Sequence, residues 1–146
     1  MADSQAQLGY GSVFQIQNEN SPNDYTDLAE VTSITPPSSQ LDQIDVTHMQ
    51  SPNRRREFIS GLNDSGECSL DINFVPGNST DLRLFELINL PIGVSRRRNL
   101  RISYPNGRTW SFQGELTGYE PAVPVDDKMS ATVTFKVTGD ITAGVT

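Results

Sequence analysis

Thiol and imidazole chemistry is nearly missing from this chain: its 146 residues include a single cysteine, Cys68, and a single histidine, His48. One cysteine excludes an intramolecular disulfide and suits a reducing compartment. Any Ser-His-Asp or Cys-His constellation would depend on His48, which lies in an irregular, Pro-containing segment without a GxSxG elbow. An exposed or interface histidine is the simpler reading. Cys68 and His48 together lack the further ligands that zinc needs. The loops carrying Asn63-Asp64 and Asp126-Asp127 do not have EF-hand spacing. GYG at 9–11 opens a strand, where a phosphate cradle would open a helix. The expectation is no enzyme, no catalytic residue, no metal and no cofactor.

Long apolar runs are also missing. None approaches the roughly eighteen residues that cross a bilayer, and MADSQAQLG at the start has neither the basic nor the apolar region of a secretory signal. A soluble protein made in the cytoplasm is expected. Positive charge is scarce: eleven Lys and Arg face eighteen Asp and Glu, for a net charge of −7. General attraction to nucleic acid or to an anionic membrane is disfavoured on that balance.

What is present is a β-rich pattern. Phe14 and Ile16 share one face of YGSVFQIQ (10–17). NENSPND (18–24) is dense in turn formers and reads as a loop. YTDLAEVTSIT (25–35) reads as a second strand, with Leu28, Val31 and Ile34 as core contacts. GECSLDINFV (66–75) places Cys68, Leu70, Ile72 and Phe74 on one face and Glu67, Ser69, Asp71 and Asn73 on the other. Ser79 or Thr80 can cap a helix over TDLRLFELINL, with Leu82, Phe85 and Ile88, or Leu84 and Ile88, as its apolar stripe. Leu100, Ile102 and Tyr104 alternate before the Asn106-Gly107 hairpin signal; Trp110, Phe112 and Leu116 follow it. KMSATVTFKVTG (128–139) alternates throughout. The predicted class is mainly β: a sandwich or barrel flanked by one α-helix, with a long loop between the second and third strands. One domain fills residues 1–146, with a flexible arm at 1–9, the loop at 36–65 and a tail at 140–146.

Six of the eleven basic residues fall in two triplets, Arg54–Arg56 and Arg96–Arg98. The first sits in the long loop among apolar residues that a spacer would not need: Leu41, Ile44, Val46, Met49, Phe58, Ile59 and Leu62. Phosphate binding is weakened by the surrounding acids and by the lack of interleaved aromatics. A solvated loop edge is one reading. Pairing between copies fits better, because compact arginine clusters and dispersed carboxylates are self-complementary.

Several short pieces then carry a resemblance: DVT at 45–47, RRREFISGL at 54–62, DSGE at 64–67 and the strand end FVPGN at 74–78. Together with the element order, they resemble major tail tube proteins of long-tailed bacteriophages from about Tyr10 to Gly139. The resemblance implies a structural virion protein whose hexameric rings stack into a tube with an acidic lumen, through which DNA passes without specific binding. It implies ring stacking by residues 45–62, with Arg54, Arg55, Arg56 and Glu57 in charged pairs and Phe58 and Ile59 as apolar anchors. Arg96, Arg97 and Arg98 become a second intersubunit patch, Glu67 and Asp71 face the lumen, and the N-terminal arm packs on a neighbour. Implied partners are further copies of the chain and the tape measure, terminator and tail-tip proteins, with no membrane; the place is the virion tail, assembled in the host cytoplasm. The alternatives are a tube protein of a contractile tail or secretion system, and a non-enzymatic β-sandwich binding or capsid-decoration module.

Overall fold

A computed structural model describes residue 4, residues 6–18 and residues 21–145 of the chain. Strands β1 (Val13–Asn18), β2 (Ser21–Asp27) and β3 (Val31–Thr35) are followed by β4 (Gln40–Asp45), a short 3₁₀ turn at Pro52–Arg54, β5 (Phe58–Asp64) and β6 (Glu67–Asn73). Helix α1 (Ser79–Ile88) precedes β7 (Arg97–Ser103), β8 (Arg108–Ala122) and β9 (Ser130–Val145). Seven strands form one antiparallel sheet in the order β2-β1-β7-β8-β9-β6-β3, while β4 and β5 pair only with each other.

The sheet curls on itself. Phe14 of β1 stacks on Phe135 of β9 with ring centroids 5.4 Å apart, although two strands separate them in the sheet. Inward positions of β1, β6, β7, β8 and β9 line this core: Phe14, Ile16, Cys68, Leu70, Ile72, Leu100, Ile102, Phe112, Val133 and Phe135 are all buried. The alternation in the sequence is thus the alternation of core and outer face. At Gly114 the strands approach so closely that a Cβ would sit 3.0 Å from Leu100 Cδ1 and 3.1 Å from the Lys136 carbonyl.

Helix α1 packs against β8 and is tied to three separate elements. The Arg83 guanidinium donates to the Gln17 carbonyl, Tyr119 OH donates to Asp81 at 2.7 Å, and the Ala29 N–H donates to Thr80 Oγ1 at 2.8 Å. Its cap is Asn78, not the expected Ser79 or Thr80. Asn78 Oδ1 accepts from the Asp81 N–H while Asp81 Oδ2 accepts from the Gly77 N–H, a reciprocal arrangement that satisfies two helix-end donors. The Gly77 N–H, and after it the Tyr119 hydroxyl, hold the Asp81 carboxyl below its ordinary range. The buried face is Leu84, Leu87 and Thr80, with Ile88 packed against the core, so of the two stripes offered by the sequence Leu84 with Ile88 is the inward one and Leu82 and Phe85 are exposed.

Three further expectations are corrected and one, the hairpin, holds. NENSPND is not a loop where it is described: residues 21–24 belong to edge strand β2, fastened to β1 by Asn18 donating to Asp24 and by Gln15 donating to Asp27; residues 19 and 20 lie outside the described residues. The segment 25–35 is two strands, broken where Glu30 takes a positive φ of 65°. The Asn106-Gly107 signal does mark the β7–β8 hairpin, which turns on a Tyr104–Gly107 bond with Gly107 at positive φ. Residues 140–145 continue β9 against β8, with Arg108 opposite Val145, and are no tail.

Candidate assembly surfaces

The 36–65 segment is a β-ribbon, which corrects the expectation of an irregular loop. Gln40 pairs with Asp64 and Asp45 with Phe58 across it, with one irregularity between Leu41 and Gln43. Turn formers and scattered charges hid this pairing because the ribbon has no buried face to impose a period. All of β4 is exposed. Phe58 and Ile59 are 52% and 53% exposed, and Leu62 and Met49 more so. The base of the ribbon is anchored: Pro37 is buried, and the buried Ser65 hydroxyl donates to the Gly139 carbonyl at 2.9 Å.

At the ribbon tip the charged residues divide. Glu57 turns inward, accepting from Ser51 Oγ at 2.6 Å with His48 Nδ1 3.3 Å away, and its N–H donates to Thr47 Oγ1 at 2.7 Å. This polar knot shapes the tip. Arg54, Arg55 and Arg56 are exposed, and no carboxylate among the described residues forms an ion pair with them. Asn53 and Arg54 both have positive φ, 55° and 58°, a conformation that disfavours non-glycine residues by steric contact and holds the arginines in a tight turn.

The second arginine triplet is split by its strand. Arg96 reaches the C-terminus of α1, donating to the Ile88 carbonyl at 3.1 Å and the Leu90 carbonyl at 2.8 Å, where helix carbonyls lack intrahelical partners. Arg98 donates to the Ser95 and Arg97 carbonyls and is half-buried. Arg97 is exposed on the outer face. Replacing Arg96 by alanine should therefore lower stability by about 1–2 kcal/mol, since two charge-assisted bonds are lost. The urea midpoint measures this; an unchanged midpoint with lost assembly would instead make Arg96 a contact residue.

Glu67 and Asp71 both lie on the exposed face of β6. Register places Glu67 at one end of a row that runs across the sheet as Arg97, Glu115, Lys136, Glu67. Opposite signs alternate along it. Asp71 is in a different row, with Ser33 on one side and Thr132 on the other, and Thr132 Oγ1 donates to it at 3.4 Å; Glu120 is opposite Thr132. The two carboxylates share a face without forming one acidic cluster.

The residues matched by the family model of the lambda phage tail tube protein are 9–144. The chain belongs to that family. It is a structural tail tube protein, and the family is consistent with a non-enzymatic role. Among curated proteins, none matches the chain. Solved structures share the fold of this tail tube protein at low identity. The tail of an empty gene transfer agent particle, refined with C6 symmetry, matches with a TM-score of 0.77 at 17% identity, covering 96% of this chain and 100% of that one. The SPP1 tail tube matches at 0.69 and 8% identity, covering 95% and 79%. A chain from the anti-feeding prophage baseplate matches at 0.75 and 13% identity, covering 98% of each.

The remaining chemistry of this tail tube protein is quiet. Cys68 is fully buried, and burial pushes its thiol up to about 12. Among the described residues, no group of three or more His, Cys, Asp or Glu is placed to hold a metal, and no helix is long and apolar enough to cross a membrane. Of the N-terminal arm, residues 4 and 6–9 are exposed, and Leu8 and Tyr10 border a cleft of about 830 Å³ with Ile34, Tyr104 and Trp110; residues 1–3 and 5 lie outside the described residues. The AVPVDD turn that the sequence signals between the last two strands is there, the β8–β9 turn, with Val123 and Val125 bare beside Asp126 and Asp127, a surface the sequence reading assigned no contact role. Its alternating Val and Pro gave no period to follow.

Proposed function

We propose that this chain closes into hexameric rings that stack through the β4–β5 ribbon into a tail tube, an acidic channel for DNA. The ribbon is the observation that carries the reading. It is a hydrogen-bonded arm with exposed apolar side chains on a domain whose core is already complete, and such a patch marks a contact surface. Arg54–Arg56 supply the charges for orientation, Phe58 and Ile59 the apolar anchors, and Glu57 shapes the tip from within. In the second patch, Arg97 is the residue that faces outward, while Arg96 and Arg98 hold the chain that presents it. The outer face bearing Glu67 and Asp71 is assigned to the lumen, where carboxylates repel phosphate and keep DNA from adhering.

The chain has no catalytic role in this reading and takes no cofactor. Its partners are other copies and the tape measure, terminator and tail-tip proteins; the N-terminal arm packs on a neighbouring subunit, and assembly takes place in the host cytoplasm. The family match favours a long-tailed phage over a contractile system. Electron microscopy of the concentrated purified protein is the test. Rings or tubes about as wide as a six-fold assembly of this domain are expected, and dispersed monomers at every concentration would overturn the reading.

A further inference from the structure

The register of β6 and β9 gives the domain two ends. Glu67 pairs with Lys136 and Asn73 with Ser130, so seven residues of ladder, about 20 Å of strand, separate them. The ribbon leaves the sheet at the Glu67 end, where Ser65 and Gly66 bind Gly139 and Val137. The β8–β9 turn, residues 123–129, leaves it at the Asn73 end. Two projecting surfaces at opposite ends of one ladder suit a head-to-tail contact along the strand direction, which builds a filament where its rotation does not close into a ring.

Their chemistry is complementary. The ribbon tip offers three exposed arginines, and its one glutamate, Glu57, is already engaged by Ser51. The turn offers Asp126 and Asp127, with Glu120 at its approach, against a single lysine, Lys128. Asp127 Oδ1 accepts from the Lys128 N–H at 2.7 Å, while elsewhere near that end Asp81 accepts from Gly77 and Tyr119, and Glu30 from Asn73. Apolar surface matches as well. Phe58 and Ile59 flank the arginines, while Val123 is 67% exposed and Val125 entirely so.

We propose that the β8–β9 turn of one copy receives the β4–β5 ribbon of the next, Arg54–Arg56 against Asp126 and Asp127, with Phe58 and Ile59 laid beside Val123 and Val125. The inference rests on the ribbon being the stacking arm and names the surface it stacks on. Guanidinium forks fit carboxylates in a planar, two-bonded geometry, so the pairing sets register as well as attraction.

The test is a charge exchange, with assembly read by sedimentation and electron microscopy and folding by thermal melting. Asp126→Arg with Asp127→Arg should melt like the parent yet sediment as tubes at least about tenfold less, because like charges then meet across the interface. Adding Arg55→Glu and Arg56→Glu to that variant should restore tubes. A folded Asp126→Arg, Asp127→Arg protein that builds normal tubes overturns the inference, as does a fourfold variant that does not recover. The separate Arg55→Glu, Arg56→Glu protein distinguishes the two claims: if it alone assembles normally, the stacking arm itself is wrong. A second measurement avoids charge altogether. Arg55→Cys with Asp126→Cys, in a Cys68→Ser background, should give a ladder of disulfide-linked multimers on oxidation of assembled protein, and monomers only would overturn the contact.

Discussion

Replacing Arg55 and Arg56 together by glutamate should abolish long tubes while leaving the domain folded. Both guanidinium groups are exposed and unpaired among the described residues, so folding has nothing to lose there beyond a few tenths of a kcal/mol. Assembly loses much more. The exchange turns attraction into repulsion at every subunit contact, and a ring multiplies the effect around its circumference. The polar knot of His48, Ser51 and Glu57 does not involve either side chain, so the ribbon keeps its shape. Circular dichroism melts should coincide with the parent, whereas sedimentation should show the tube fraction falling at least about tenfold. Salt adds an independent check: surface pairing is screened with a Debye length of about 8 Å at physiological ionic strength, so parental tubes should shorten as salt rises. Tubes of normal length from the double variant would remove the arginines from the stacking contact.

The opposite pattern is expected inside the curled sheet. Phe135 is 1% exposed and stacks on Phe14 at 5.4 Å with the rings 26° apart. It is where the curled sheet meets itself. Truncation to alanine should cost about 3–5 kcal/mol, from lost transfer energy, the cavity left behind and the lost ring pair. That is a large share of the roughly 5–15 kcal/mol by which domains are stable, and at about 2–4 °C per kcal/mol it lowers the melting temperature by roughly 10 °C. Calorimetry of the dilute protein measures it. Phe58→Ala is the control, because the same truncation on the exposed ribbon should leave the melt unchanged and weaken only assembly. A Phe135→Ala melt within about 2 °C of the parent would mean that the curled sheet does not pack on this pair.

These two phenylalanines show where sequence pattern is informative. Phe135 lies in a strand whose every second residue is apolar, since one face is dry; period two was enough to place it and its neighbours Val133 and Val137. The same logic found Cys68, Leu70 and Ile72, and Leu100 and Ile102. It failed for the ribbon and for β2. Neither buries a face among the described side chains, so no alternation marks them, and both are strands because backbone N–H and C=O groups find partners across a hairpin. It failed in part for α1, where Leu82, Phe85, Leu84 and Leu87 give two overlapping apolar stripes; contact with β8 chooses Leu84 and Leu87, and the other pair is left in solvent. The adjacent arginines Arg96, Arg97 and Arg98 are alike on paper, yet a helix end, an outer face and an inward-facing strand position take one each.

By itself the sequence determined the β-rich class, the core residues of the long strands, the two arginine clusters and, through several short pieces, the tail tube family. Those are local properties, written in period, composition and motif. Tertiary structure alone decided that residues 40–64 form an arm, that Glu57 and Arg96 serve the fold, and that the arm and the Asp126–Asp127 turn stand at opposite ends. Such facts depend on strand register and sheet closure, which arise from contacts between residues far apart in the chain and leave no periodic trace in it.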